Sequence, residues 1–211
     1  MTQPKPVYVL GAGGHAKVVV STLQAAGVAV TGLFDDDRGK WDRRVLGVPV
    51  LGALEQGSEV NDAAAVIGIG DNGMRQRIAE QYDNLEWLSI IHPSACVHPT
   101  AQLGRGTVVF AGAVIQPDAR IEDHSIVNTM VSVDHDCRVE RYVHLAPGVH
   151  LAGNVLVGEG VLIGLGSSVI PHVSIGARTV VGAGSAVVGN LPPDVTATGV
   201  PARILKIRQH A

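Results

Sequence analysis

The sequence predicts two structural units in succession, a small α/β unit with a parallel sheet and then a parallel β-solenoid. Three observations predict them. An aliphatic residue recurs at every sixth position from Val97 to Val187, sixteen times without an insertion. Before this repeat, short apolar segments alternate with amphipathic ones. Aromatic residues make up only 3% of the 211 residues, whereas hydrophobic residues make up 46%, so the core must consist mainly of Val, Ile, Leu and Ala.

Residues 1–91 read as strands that alternate with helices, which is typical of a parallel sheet. The apolar segments predict strands over 7–10, 28–34, 63–69 and 86–91. The segments after the first and third strands predict helices that end near Ala26 and Tyr82. The sequence therefore predicts a Rossmann-like βαβ domain over 1–91 and leaves 92–211 to the solenoid and a C-terminal tail.

The repeat of six fits neither the helical period of 3.6 nor the strand period of 2. It fits a solenoid in which each hexad forms one flat side and three hexads form a triangular coil. The aliphatic residue then points into a narrow core. Four positions later comes a small or β-branched residue that suits a turn, as at Ala101, Thr107 and Ala113. Sixteen hexads make about five such coils.

Composition excludes several classes of protein. A formal charge of −3 gives no reason to expect nucleic acid as a partner. Two cysteines make no disulfide framework. Every apolar run is interrupted well before it could span a bilayer, and the polar, proline-bearing segment 1–8 is not a signal peptide. The expectation is a cytoplasmic protein with no membrane insertion.

The first candidate for chemistry is Gly11-x-Gly13-x-x-Ala16, between the first predicted strand and helix. Such a glycine turn lets backbone N–H groups approach a phosphate at the positive end of the helix. Asp35 and Asp36, at the end of the next strand, could accept hydrogen bonds from a ribose or a base. The domain has room for one nucleotide. A turn that merely packs the helix on the sheet is the simpler alternative, and a nicotinamide oxidoreductase is what the glycine pattern alone would suggest.

The second candidate is His135, which lies on a predicted turn of the solenoid between Asp134 and Asp136. An imidazole oriented by a carboxylate can take a proton from a nucleophile, and either aspartate could orient it. A solvated surface histidine is the alternative. Cys137 is expected to fill space near the core rather than act as a nucleophile. Arg75, on the second predicted helix, is either a phosphate ligand or, more simply, a solvated helix residue.

No metal site is expected. Residues that are 18 apart lie on successive coils, and no two solenoid histidines have this spacing. The sequence also lacks the pair of histidines five residues apart that solenoid carbonic anhydrases use.

With these residues together, the chain resembles the NeuD/PglD group of bacterial sugar acetyltransferases, within the hexapeptide-repeat acyltransferases. The resemblance implies a left-handed β-helix, acetyl-CoA as co-substrate, and homotrimers in which acetyl-CoA lies between neighbouring β-helices. It identifies His135 as the catalytic base with Asp136 beside it, where the protein-glycosylation member usually has Glu. Four residues are implied near acetyl-CoA: His144, Gly153, Leu165 and Arg203. Seven are implied near the nucleotide-linked sugar: Gly13, Gly14, His15, Asp35, Asp36, Gly70 and Asp71.

The expected function is therefore acetyl-CoA-dependent N-acetylation of a nucleotide-linked amino sugar by direct transfer. The close alternative is O-acetylation of sialic acid or another sugar hydroxyl, with the same base and donor. Two more distant hypotheses are a solenoid metalloenzyme and a nucleotide-binding scaffold without catalysis. The sequence does not specify the nucleotide, the sugar or the ring position.

Overall fold

A computed structural model describes residues 5–58, 62–82 and 85–207. The N-terminal unit is a sheet of six strands in the order β3-β4-β2-β1-β5-β6. Pairing is parallel except between β3 and β4, which form a hairpin. Its strands are β1 (Val7–Leu10), β2 (Gly32–Phe34), β3 (Arg44–Val45), β4 (Val48–Gly52), β5 (Ala64–Ile67) and β6 (Glu86–Trp87), and its helices are α1 (Gly14–Ala25), a 3₁₀ turn (Arg38–Lys40), α2 (Leu54–Ser58) and α3 (Asn72–Gln81).

The predicted β–α alternation of this unit is confirmed, but its strands differ from the prediction in several ways. Strands β3 and β4 were not predicted, and the third predicted strand is Ala64–Ile67 rather than 63–69. The second strand is three residues long rather than seven, because Val28 and Val30 pack on the core without pairing. The predicted fourth strand is two strands. Glu86–Trp87 pairs with β5, whereas Ile90–Ile91 pairs with Val108–Val109 of the solenoid. The domain boundary after residue 91 remains a prediction.

The remaining strands stack into the three flat faces of a triangular β-helix, as the repeat of six predicts. Strands 18 residues apart pair in parallel. The first face contains Ile90–Ile91, Val108–Val109, Ile126–Val127, His144–Leu145, Leu162–Ile163, Val180–Val181, Val195–Thr198 and Arg203–Ile207; the second contains Cys96–Val97, Val114–Ile115, Ser132–Val133, His150–Leu151, Ser168–Val169 and Ala186–Val187; the third contains Gln102–Leu103, Arg120–Ile121, Arg138–Val139, Leu156–Val157 and Ser174–Ile175.

Every aliphatic residue of the repeat points into the core of the β-helix. Fourteen of them, from Val109 to Val187, are buried in one cluster, and Val97 and Leu103 pack against it from the open end. The repeat extends one hexad earlier than Val97, to Ile91, which is 41% exposed because no coil lies beneath it. The confirmed architecture is a Rossmann-like domain followed by a left-handed parallel β-helix.

The N-terminal unit packs on the first face of the β-helix. Val19 and Val20 of α1 share a buried cluster with Ile90, Val108 and Phe110 of that face. In a triangular prism, the edge between the second and third faces lies opposite the first face. We call this the distal edge; its turns are 98–101, 116–119, 134–137, 152–155 and 170–173. Among the described residues, no helix is both long and apolar enough to cross a lipid bilayer.

Candidate functional site

The glycine turn after β1 leaves open space at the start of α1. Gly11 has φ +107°, and a Cβ there would lie 2.7 Å from Ile69 Cγ1, so only glycine fits. Gly13 and Gly14, at the start of α1, have open space where a side chain would be. No side chain caps the helix, so its first N–H groups remain available to an anion.

Asp35 supports this turn from the next strand. Its carboxylate accepts hydrogen bonds from the Ala12 N–H at 2.7 Å, the Asp37 N–H at 2.9 Å and the Lys40 ammonium at 3.0 Å. Burial alone would raise the pKa of Asp35, but these hydrogen bonds outweigh it and lower the pKa. Asp36 instead accepts from the Leu54 N–H at the start of α2. Asp35 therefore fixes the turn and brings Lys40 beside it.

A cleft of about 430 Å³ lies between the β5–α3 loop and the first face of the β-helix. It is lined by Gly70, Asp71 and His144, among others. The His144 ring bonds the Gly70 carbonyl at 3.2 Å through Nδ1 and the Asn128 amide at 3.0 Å through Nε2. We call this the junction cleft. It brings together residues that the resemblance assigns to the nucleotide and to acetyl-CoA.

Three histidines at the junction of the two units are uncharged at neutral pH. Burial lowers the pKa of His144 to about 4, with Arg75 adding to the effect. Burial, then His144 and Arg75, lower the pKa of His15 to about 4. The His15 ring lies 5.4 Å from that of Phe110, so His15 packs into the junction. The pKa of His124 is also lowered to about 4, mainly by burial.

His135 lies on the distal edge and is exposed. Its Nδ1 bonds Asp136 Oδ2 at 2.7 Å, and this hydrogen bond is the main cause that raises the pKa of His135. Asp134 accepts from the backbone N–H of His135 instead. Of the two aspartates, Asp136 therefore orients the ring, and Nε2 points away from it as a free proton acceptor. Cys137 is buried, and burial raises the pKa of its thiol to about 11, which is wrong for a nucleophile.

Comparison with known proteins identifies the family. The family model of the PglD N-terminal domain matches residues 6–82. The structure of a histidine-to-asparagine variant of perosamine N-acetyltransferase from Caulobacter crescentus, in complex with CoA and GDP-perosamine, has a TM-score of 0.90 and 44% identity. The match covers 95% of this chain and 97% of that one. The chain belongs to the PglD-like family of hexapeptide-repeat sugar acetyltransferases.

Two other PglD-like relatives are informative. The acetyltransferase domain of PglB from Neisseria gonorrhoeae, in complex with acetyl coenzyme A, is 35% identical with a TM-score of 0.90, and the match covers 96% of this chain and 100% of that one. The UDP-N-acetylbacillosamine N-acetyltransferase of Bacillus subtilis is 40% identical over 112 residues, 51% of this chain and 52% of that protein. The chain spans about half, or less, of the lengths of the curated relatives it matches.

The residues that the PglD-like resemblance assigns to acetyl-CoA are not brought together within one chain. Gly153 lies on the distal edge, one coil beyond His135. Leu165 lies on the turn between the first and second faces and is 61% exposed. His144 is on the first face, and Arg203 is on the exposed last strand, where it donates to the Ala202 carbonyl. Their roles stay predictions.

Both sequence-based interpretations of Arg75, as a phosphate ligand or as a solvated helix residue, are wrong. Arg75 is 1% exposed and is neither solvated nor available to a phosphate. Its guanidinium donates to the carbonyls of His124 at 2.7 Å and Tyr142 at 2.8 Å in the β-helix, and to Gly70 at 3.2 Å in the N-terminal unit. Burial lowers its pKa to about 10, so it stays charged at neutral pH. Arg75 thus joins the two units.

Among the described residues, no group of three or more His, Cys, Asp or Glu side chains is placed to hold a metal ion.

Gly153 must lack a side chain for His135 to keep its position. A Cβ there would lie 2.6 Å from both Cε1 and Nε2 of the His135 ring. Gly153→Ala is therefore expected to rotate the ring away from Asp136 and to lower kcat by about 10-fold or more. The unfolding temperature should change little, because the ring is free to move into solvent. Matched measurements on Gly189→Ala, which meets open space, provide the control; equal kcat values for the two variants would contradict this role.

His15 and His144, half-buried at the junction, predict a specific loss of stability in acid. A histidine with a pKa of about 4 when folded and 6.5 when unfolded binds its proton more tightly in the unfolded chain. The free energy of unfolding is then unaffected above pH 6.5 and falls as pH drops from about 6.5 towards 4. Urea titrations between about pH 7.5 and 4.5 should detect this fall. His15→Gln should flatten the dependence, whereas exposed His98→Gln should not; identical slopes for both would contradict it.

Proposed function

We propose that the protein is an acetyl-CoA-dependent N-acetyltransferase that acts on a nucleotide-linked amino sugar. The observation that carries the proposal is the exposed His135–Asp136 pair, 2.7 Å apart, in a chain whose N-terminal unit also presents an open glycine turn to an anion. Its relatives include a perosamine N-acetyltransferase in complex with CoA and GDP-perosamine. An anion-binding turn favours a nucleotide-linked acceptor over free sialic acid, which carries no nucleotide.

The chemistry needs one base and no covalent acyl-enzyme. The amine nitrogen of the sugar attacks the thioester carbonyl of acetyl-CoA, and His135 Nε2 accepts the proton that the nitrogen loses. Asp136 accepts from Nδ1–H and stabilises the imidazolium that forms. The tetrahedral intermediate then collapses to the amide and expels coenzyme A as a thiolate, which takes the proton from the His135 imidazolium and leaves as the thiol. Backbone N–H groups of the coil turns would stabilise the oxyanion.

We further propose that each site is formed by two chains of a homotrimer. The distal edge with His135 is opposite the face that carries the N-terminal unit, so a sugar nucleotide bound at one chain's glycine turn is remote from that chain's own His135. Gly153 and Leu165 likewise lie on different edges of one prism. A groove between two β-helices would bring such edges together.

Because acetyl-CoA is a cytoplasmic metabolite, the proposed reaction takes place in the cytoplasm.

The proposal is tested by coenzyme A release from acetyl-CoA with a panel of UDP-, GDP- and dTDP-linked amino sugars and with free sialic acid. Turnover with one nucleotide-linked amino sugar, and an N-acetyl product by mass spectrometry, is the expected result. Acetylation of sialic acid alone would overturn the proposal in favour of O-acetylation. No coenzyme A release with any acceptor, from protein that binds acetyl-CoA, would also overturn it.

The pH dependence tests the part assigned to Asp136. As a base His135 must be neutral, so kcat/KM should fall on the acid side with a pKa above 6.5. Asp136→Asn removes the hydrogen bond to the carboxylate that raises this pKa. In the pH profile of kcat/KM, the fall on the acid side should move to lower pH, and the maximum value at higher pH should decrease. Both changes are expected because the His135 ring becomes less basic. Asp134→Asn should move the acid-side fall less, since Asp134 bonds the backbone; an acid-side fall that stays in place in Asp136→Asn would contradict the assignment.

A further inference from the structure

Two arginines next to the catalytic pair have no acidic partner. Arg120 and Arg138 occupy outward positions on neighbouring strands of the third face, in direct register. Both side chains are exposed. Like charges opposite each other on neighbouring strands repel, and among the described residues neither guanidinium forms an ion pair or a hydrogen bond. Such a pair is stabilised when an anion binds between the two guanidinium groups.

Three exposed arginines on the turns between the third and first faces are neutralised. Arg105 pairs with Asp123 at 3.4 Å, Arg141 with Glu159 at 3.0 Å, and Arg178 with Asp194 at 2.7 Å. Each of these pairs joins one coil to the next. Arg120 and Arg138 depart from this pattern at the one place where the third face meets the turn that carries His135.

The two arginines line a cleft of about 460 Å³ that reaches the catalytic pair. Asp136 is on its wall, with Asn154, Leu156 and His172. Two carboxylates face the cleft, those of Asp118 and Asp136. Asp136 is already bonded to the His135 ring, which leaves two guanidinium groups against the single carboxylate of Asp118.

We propose that Arg120 and Arg138 bind the diphosphate of the nucleotide-linked sugar while its amine lies at His135, an inference that rests on the proposed function. Guanidinium groups bind phosphate oxygens in a bidentate manner. Both co-substrates contain a diphosphate. In the sugar nucleotide it is one sugar ring from the reacting amine, whereas in acetyl-CoA the whole pantetheine arm separates it from the thioester. The cleft adjoins His135, so the diphosphate that lies closer to its own reacting group fits the cleft better. That is the diphosphate of the sugar nucleotide, which is the acceptor.

In a two-chain site the arginines act on a nucleotide held by the glycine turn of the neighbouring chain. One chain then supplies the N-terminal unit that selects the nucleotide. The other supplies the base together with the cations that fix the diphosphate. The nucleotide is thereby held by one chain and its diphosphate by the other, next to the base.

The experiment compares Arg120→Gln, Arg138→Gln and the double variant with Arg105→Gln, a charge-matched control outside the cleft. Each single substitution is expected to raise KM for the nucleotide-linked sugar about 10-fold. The double variant should raise it further, with kcat within about 3-fold and KM for acetyl-CoA unchanged. Arg138→Lys should restore part of the loss. Size-exclusion chromatography and thermal unfolding verify that each variant is folded and assembled as the wild type.

Four results would overturn the inference. A rise in KM for acetyl-CoA that is absent with acetyl-pantetheine, which lacks the diphosphate, would assign the pair to the donor. An unchanged KM for both substrates, or dissociation of the assembly, would make the arginines structural. Calorimetric binding of inorganic pyrophosphate gives a readout without turnover. Binding that is equal in the wild type and the double variant would also overturn the inference, whether or not the proposed reaction is observed.

Discussion

Replacing His135 with alanine is expected to lower kcat by about 10²–10⁴-fold, the usual contribution of a general base. The ring is exposed, and within the described part of the chain its side chain bonds only Asp136, so its loss leaves no buried partner there unsatisfied. Binding of acetyl-CoA and the free energy of unfolding should therefore stay close to the wild-type values. Steady-state rates at saturating concentrations of both substrates, with calorimetric binding of acetyl-CoA, measure the two effects separately.

The matched control is His98→Ala. His98 is an exposed histidine on the same distal edge, where its Nδ1 bonds Thr100; none of the carboxylates that the structure describes pairs with it. Its replacement should leave kcat unchanged. Turnover of His135→Ala at the wild-type rate would remove the base from the mechanism, and equal losses in the two variants would point to damage along the edge rather than to proton transfer.

The β-helix was predictable because every hexad of its sequence places an aliphatic residue at the position that points into the core. Each inward position, such as Val133 or Leu151, meets the same narrow core, so the period of six specifies the coil and its three faces. The position of His135 on an edge follows from the same count. The pairing of Arg120 with Arg138 could also have been inferred, since they are 18 residues apart.

Other features of the structure could not be predicted, because the local sequence pattern at each of them is weak. The β3–β4 hairpin is short and contains Pro49, so no alternation marks it. Arg75 lies in a helix whose sequence is polar, and a polar helix predicts solvent. Only the docking of the N-terminal unit on the first face buries that side of α3, and the sequence does not encode this contact in any local pattern. Which of the two aspartates orients His135 likewise depends on the backbone of one turn.

Arg75→Met is expected to lower the free energy of unfolding by about 3–5 kcal/mol, the cost of removing one member of a buried polar network. Methionine has a similar volume and no donor. It would leave the carbonyls of His124 and Tyr142, and the Asn72 side-chain oxygen, without the guanidinium that bonds them. A buried carbonyl without a partner costs more than its hydrogen bond contributes, because it has also lost its water.

Urea titration monitored by tryptophan fluorescence measures this loss, since one of the two tryptophans, Trp87, has its ring centroid 4.9 Å from that of His124 at the same junction. Arg77→Met is the control because Arg77 is on the exposed side of α3. It should change the free energy of unfolding by less than about 0.5 kcal/mol. Arg75→Lys keeps one charge and should retain part of the stability. An unfolding midpoint for Arg75→Met equal to that of Arg77→Met would mean that apolar packing, rather than the guanidinium, holds the N-terminal unit on the β-helix.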